Sequence, residues 1–207
     1  MGPAILDYGM GNLRSVANAC EALGSPARVA RRPEELRDAD RIILPGVGAF
    51  GDAMANLRSG GWIAALEEEV RGRGKPFLGL CLGMQLLATT GTEFGRHAGL
   101  GWIPGVAERL EPADASLRVP HMGWNRVLAE KRDGLLAGVG EGADFYFVHS
   151  YVLRPDDPSV VTGRCVYGAA FAAVVERGNI QATQFHPEKS QKAGLTVLGN
   201  FLRRQAC

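Results

Sequence analysis

The segment Gly79-Leu80-Cys81-Leu82-Gly83 constrains this chain more than any other. An apolar run, Pro76-Phe77-Leu78-Gly79-Leu80, leads into it, and a run with helical character, Leu82 to Ala88, leads out. Strand, one-residue corner and helix in that order make a nucleophile elbow written G-x-C-x-G. Such a corner is strained, and the backbones of strand and helix crowd together there, so glycine belongs two residues to either side. The spacing lifts the Cys81 thiol clear of the sheet and predicts that it sits at a helix N-terminus, which favours the thiolate. A buried cysteine between two structural glycines is the competing reading, and the chemistry must come from partners elsewhere in the chain.

Composition narrows the classes. The chain has 207 residues, 46% of them hydrophobic and 22% charged, with a formal net charge of +1. Those values suit a soluble globular chain forming one domain over residues 1–207. No basic stripe marks it for nucleic acid. No apolar run approaches the ~20 residues of a membrane span, and no signal peptide is apparent, so the expected location is the cytoplasm. The four cysteines, Cys20, Cys81, Cys165 and Cys207, show neither C-x-x-C pairing nor a metal-ligand rhythm. Reduced thiols are expected, with Cys20 and Cys165 as core filler and neither metal nor cofactor implied.

Along the chain, strand patterns at 4–8, 27–30, 41–44 and 77–80 alternate with helical patterns at 12–23, 53–57 and 62–70. That alternation argues a mostly parallel sheet with helices on both faces. After Gly91 the texture changes. Short strand candidates at 106–110, 124–128, 145–151, 160–167, 171–176 and 180–185 are punctuated by glycine and proline, which predicts added antiparallel strands. A helix over 190–205 closes the chain.

A thiolate needs a base, and the base needs an orienter. Gln184-Phe185-His186-Pro187-Glu188 offers both after the apolar strand 180–185. Pro187 is expected to keep the segment extended, so that His186 and Glu188 point the same way. Active sites in doubly wound sheets gather at the carboxyl ends of strands, and Cys81 and His186 each follow one. A bare H-P-E triplet is by itself more often a surface turn; it gains weight from the elbow. His97, His121 and His149 are rival bases.

These two motifs resemble the class I, triad-type glutamine amidotransferases, and Pro45-Gly46-Val47-Gly48 is similar to that family's oxyanion strand. Asp7-Tyr8-Gly9-Met10-Gly11-Asn12, Pro120-His121-Met122-Gly123-Trp124-Asn125 and Tyr146-Phe147-Val148-His149-Ser150-Tyr151 resemble the branch that serves imidazole glycerol phosphate synthases as glutaminase. The resemblance implies an α/β, flavodoxin-like sheet and L-glutamine as substrate. It implies Cys81 as nucleophile, His186 as proton carrier and Glu188 as its orienter. The oxyanion would be held by backbone N–H groups of Leu82 and of the Val47-Gly48 peptide, which Gly48 leaves free to flip. Gln85, Glu93 and the backbones of His149, Ser150 and Tyr151 would contact substrate. The implied partner is a (β/α)8-barrel cyclase that consumes the ammonia, docked on Trp124, Met122, Asn12, Tyr146 and Lys189, with His121 in the same region. Another amidotransferase or a γ-glutamyl peptidase would keep the fold. A non-catalytic scaffold would be expected to have lost one of the three triad residues.

Overall fold

In the computed structural model, which describes residues 2–114 and 116–204, strands and helices follow the alternation in the first half of the sequence. Strand β1 (Pro3–Leu6) leads to helix α1 (Leu13–Ala22), then strands β2 (Arg28–Ala30) and β3 (Arg41–Gly46). Helices α2 (Phe50–Ser59) and α3 (Trp62–Leu66) precede strand β4 (Phe77–Cys81), and the one-turn helix α4 (Leu82–Gln85) follows it. Helix α5 (Gln191–Arg203) comes last; Cys207 and the predicted end of this helix at Gln205 lie outside the described residues. Asn12 caps α1 by accepting from the Ser15 N–H, and Gly24, at φ 71°, supplies the left-handed stop that the sequence predicts.

The main sheet has eight strands. Its first five run in the order β2, β1, β3, β4, Ile180–Thr183, all parallel. The antiparallel strands Ala169–Arg177, Val161–Tyr167 and Leu128–Ala129 extend it. Alternation divides the core into two layers. Ala4, Leu6, Ile42, Leu44 and Phe77 face α2 and α3, while Ile5, Ile43, Leu78 and Leu80 face α1 and α5. A separate antiparallel ribbon pairs His121–Arg126 with Asp144–His149, and a small sheet is built on Gly105–Arg109 and Tyr151–Pro155.

Three expectations change. The predicted helix over 62–70 continues past α3 as a π-turn, Glu67–Gly72, in which Glu69 turns inward to meet Lys75 (Oε2–Nζ 2.7 Å). The helix after Cys81 stops at one turn, because the Leu86, Leu87 and Ala88 carbonyls bond the N–H groups of Leu100, Ile103 and Gly101. The predicted strands 124–128 and 145–151 each straddle a break, with the ribbon taking 121–126 and 144–149.

Candidate active site

Strands β3, β4 and Ile180–Thr183 are parallel neighbours, so their carboxyl ends share one edge of the sheet. The first runs out into Val47-Gly48, the second ends on Cys81, and the third delivers Gln184 to His186. Gly46 pairs with Cys81 across the ladder, which sets the oxyanion-strand candidate beside the sulfur.

Cys81 occupies the corner at φ 53°, ψ −107°, where only glycine is at ease. Holding a side chain there costs on the order of 1–3 kcal/mol and survives only where the surroundings dictate it. They do so here. A Cβ on Gly79 would lie 2.6 Å from the Gly83 carbonyl oxygen, and one on Gly83 would lie 2.0 Å from that of Leu44. The short α4 weakens one sequence argument: four residues align few peptide dipoles, so the helix field at the thiol is small.

His186 and Glu188 meet with Nδ1–Oε1 at 2.8 Å, both side chains almost wholly buried. The route differs from the predicted extended segment. His186 is extended (φ −96°, ψ 96°), but Pro187–Lys189 is a 3₁₀ turn with proline at its first position, and the turn swings Glu188 back onto the ring. Burial works against charge on that ring, yet the Cys81 sulfur and the Glu188 carboxylate outweigh it and raise the His186 pKa to about 10. Among the described residues Nε2 has no other hydrogen-bond partner, which leaves it to the sulfur. The ribbon braces this arrangement. The His186 N–H donates to the Tyr146 carbonyl (3.0 Å), the Tyr146 N–H to Ser190 Oγ (3.0 Å), and the Ser190 hydroxyl to the His186 carbonyl (2.6 Å).

A cavity of about 450 Å³ opens over Cys81. Val47, Gly48, Leu82, Gln85, Glu93, His149, Ser150 and Tyr151 line it, together with Phe94 and Pro120. Gly48 stands at φ 108°, with Met10 packed where a Cβ would go. Glu93 accepts a hydrogen bond from the Phe50 N–H (2.8 Å), so it caps α2 as well as walling the cavity. Gln85 does not hang free in the cavity: its amide donates to the Tyr151 carbonyl (2.8 Å) and to Gln184 (3.3 Å).

The expected docking residues divide. Met122 and Trp124 are 63% and 49% exposed, and Asn12 and Lys189 are exposed too. Trp124 meets Tyr146 edge-on at 6.0 Å, and Lys189 sits 5.7 Å from the Tyr146 ring centre. His121 is a correction: strand alternation turns it to the opposite side of the ribbon, where it is buried. A wider cleft of about 680 Å³ between Trp124 and the start of α5 is lined by Asp144, Ser190, Lys192 and Thr196 and contains neither Cys81 nor His186. His97 packs its ring against Gly51, away from the sulfur.

Sequence reasoning missed two side-chain neighbours of Cys81. The fully buried Gln184 points its amide nitrogen at the sulfur from 3.7 Å, and Tyr8 is close enough that the Cys81 charge, after burial, raises its pKa. The Tyr8 hydroxyl donates to the Pro45 carbonyl (2.9 Å), pinning the strand that leads to Val47-Gly48. Both residues sit inside recognisable motifs, but nothing in the sequence says where they point. Burial raises the thiols of Cys20 and Cys165 to about 11 and about 12, which keeps them protonated. Among the described residues no group of three acidic, histidine or cysteine side chains is poised to hold a metal, and no helix is long and apolar enough to cross a membrane.

The family described as "Glutamine amidotransferase class-I" matches residues 4–205. This chain belongs to that family. Within it, the chain falls among the HisH subunits of imidazole glycerol phosphate synthase. It is 50% identical to the "Imidazole glycerol phosphate synthase subunit HisH" of Geobacter sulfurreducens, over 96% of each chain. It is 52% identical to that of Moorella thermoacetica, over 96% of this chain and 92% of the relative. Among solved structures, "Structure of PurLQS from Thermotoga maritima" superposes with a TM-score of 0.75 at 21% identity, covering 97% of this chain and 96% of that one. "Crystal structure of glutamine amidotransferase" does so with a TM-score of 0.73 at 22% identity, covering 96% and 97%. At that identity the likeness shows the shared amidotransferase fold, an open, mostly parallel sheet flanked by helices.

Proposed function

We propose that this chain, as one domain over 1–207, hydrolyses L-glutamine with Cys81, His186 and Glu188. It passes the ammonia to a (β/α)8-barrel cyclase subunit that makes imidazole glycerol phosphate and AICAR in histidine biosynthesis, in the cytoplasm. The observation that carries the reading is the His186–Glu188 pair at 2.8 Å, with the other ring nitrogen left to the sulfur of a strained elbow.

In the first step the Cys81 sulfur attacks the side-chain amide carbon, and the C=O electrons move onto oxygen. N–H groups of Leu82 and the Val47-Gly48 peptide receive that charge; losing one such donor typically costs ~3 kcal/mol of transition-state stabilisation. The tetrahedral adduct collapses by breaking the C–N bond while His186 gives its proton to the departing nitrogen, which leaves ammonia and a glutamyl thioester. Water then attacks the thioester, His186 takes its proton, and glutamate leaves as the sulfur recovers its electron pair. Glu188 holds Nδ1 throughout, so Nε2 faces the reacting atoms both when it gives and when it takes the proton. Gln85, Glu93 and the backbone of 149–151 form the glutamine wall. The exposed Trp124 with Met122, Tyr146, Lys189 and Asn12 supplies the cyclase face, next to the segment that carries the base. Nothing in this reading calls for a cofactor, nucleic acid or membrane.

The test is Cys81→Ala in the complex with the cyclase. Glutamine hydrolysis should vanish while synthesis from added ammonium persists. A variant that still hydrolyses glutamine overturns the assignment of the nucleophile.

A further inference from the structure

Two buried histidines next to the candidate site are unused by the mechanism above. His121 Nδ1 and His149 Nε2 are 3.0 Å apart, and His149 Nδ1 is 3.0 Å from the Tyr151 carbonyl oxygen. At the far end the Asn125 amide nitrogen is 3.2 Å from His121 Nε2. One assignment of protons satisfies all three contacts. The Tyr151 carbonyl can only accept, so His149 carries its proton on Nδ1 and accepts on Nε2. His121 must then donate from Nδ1 and accept from the Asn125 amide on Nε2. The chain is directed, each group donating toward the cavity. It ends on the Tyr151 carbonyl, which also accepts from Gln85; from there a second run leads to the sulfur, the Gln85 amide donating to Gln184 and Gln184 to Cys81.

The surroundings fix the rings in this arrangement. His121 is stacked between Phe147 (4.8 Å) and Tyr167 (4.1 Å) and stands edge-on to His149 (5.1 Å). Burial lowers the pKa of His121 to about 4 and that of His149 to about 3, the neighbouring histidine adding to the latter, so both rings are neutral near pH 7.

We infer that His121 and His149 are positioning residues: a directed pair of neutral imidazoles that fixes the Tyr151 carbonyl and Gln85, and so the wall on which the glutamine amide is laid against Cys81. The inference rests on the glutaminase reading for the identity of the ligand. Its predicted signature is selective. Loss of the chain loosens substrate binding, while the reacting groups, held by the elbow and by the Tyr146–Ser190 brace, stay in place.

Two measurements on the protein in complex with its cyclase test it. Nitrogen-15 NMR of labelled histidines in the wild type should find the proton on Nδ1 in both rings; a proton on Nε2 of either overturns the chain. In steady-state glutamine hydrolysis, His121→Phe keeps the stacked ring but removes the donor, and should raise KM about tenfold with kcat within about twofold. His121→Asn, whose amide nitrogen falls near the Nδ1 position, should restore most of the loss. Wild-type constants in His121→Phe, a fall in kcat at unchanged KM, or an equal defect in His121→Asn would each refute the positioning role. If His121→Phe fails to fold, the NMR result decides. A wild-type complex that hydrolyses no glutamine would sink the functional reading and leave the proton assignment standing.

Discussion

Gly83→Ala is the sharpest test of how the elbow is built. In an ordinary helix this exchange stabilises by about 1 kcal/mol, because alanine has the better helix propensity. Here the sign reverses. The new Cβ would sit 2.0 Å from the Leu44 carbonyl oxygen, against an ordinary contact beginning at 3.4 Å, so one backbone must retreat by about 1.4 Å. Neither side can yield cheaply. Leu44 is a central residue of β3, bonded to β4 in register with Gly79, and α4 starts immediately after Cys81. Overpacking of this kind costs typically ~1–3 kcal/mol. The functional cost is larger, because the displaced segments carry the sulfur and the Val47-Gly48 peptide. A misplacement of ~1 Å at a reacting centre can cost on the order of 100-fold in rate. The assay is kcat/KM for glutamine in the cyclase complex, together with the thermal midpoint. Gly72→Ala is the control, since its Cβ would meet nothing closer than 3.6 Å. If Gly83→Ala keeps wild-type kcat/KM and midpoint, the close approach of helix to strand does not build this site.

Two further outcomes follow from the geometry. The His186 pKa is raised, so the ring stays protonated above the unperturbed value and loses its charge only as pH rises through about 10; Cys81→Ala removes the main influence that raises it, and the ring titration followed by NMR should move to lower pH, whereas an unmoved titration would show that the sulfur does not touch the base. Trp124, half-exposed and backed by Tyr146, should behave as a docking anchor: Trp124→Ala should weaken cyclase binding measured by calorimetry by about 2 kcal/mol or more, and unchanged affinity would place the interface elsewhere.

The parallel half of the fold was legible because its strands are short apolar runs closed by glycine and separated by amphipathic helices. Lys75 and Arg73 gather Glu69 into the interior and turn the end of the predicted helix into a π-turn, a tertiary pairing that periodicity does not register. The contact of His186 with Glu188 was expected from alternation along a strand, but a 3₁₀ turn makes it, because proline suits the start of such a turn as well as it suits extended chain. His121 was expected on the docking face beside Trp124; an odd offset in an alternating strand puts it inside instead.

The order of residues carries the available chemistry: a cysteine at a small-residue corner between strand and helix, a histidine and a carboxylate two positions apart, and glycines where backbones must touch. Which polar groups complete the site is set by packing. Gln184, Tyr8 and the His121–His149 pair reach it across elements distant in the chain, and the direction of a buried hydrogen bond depends on every donor and acceptor that surrounds it.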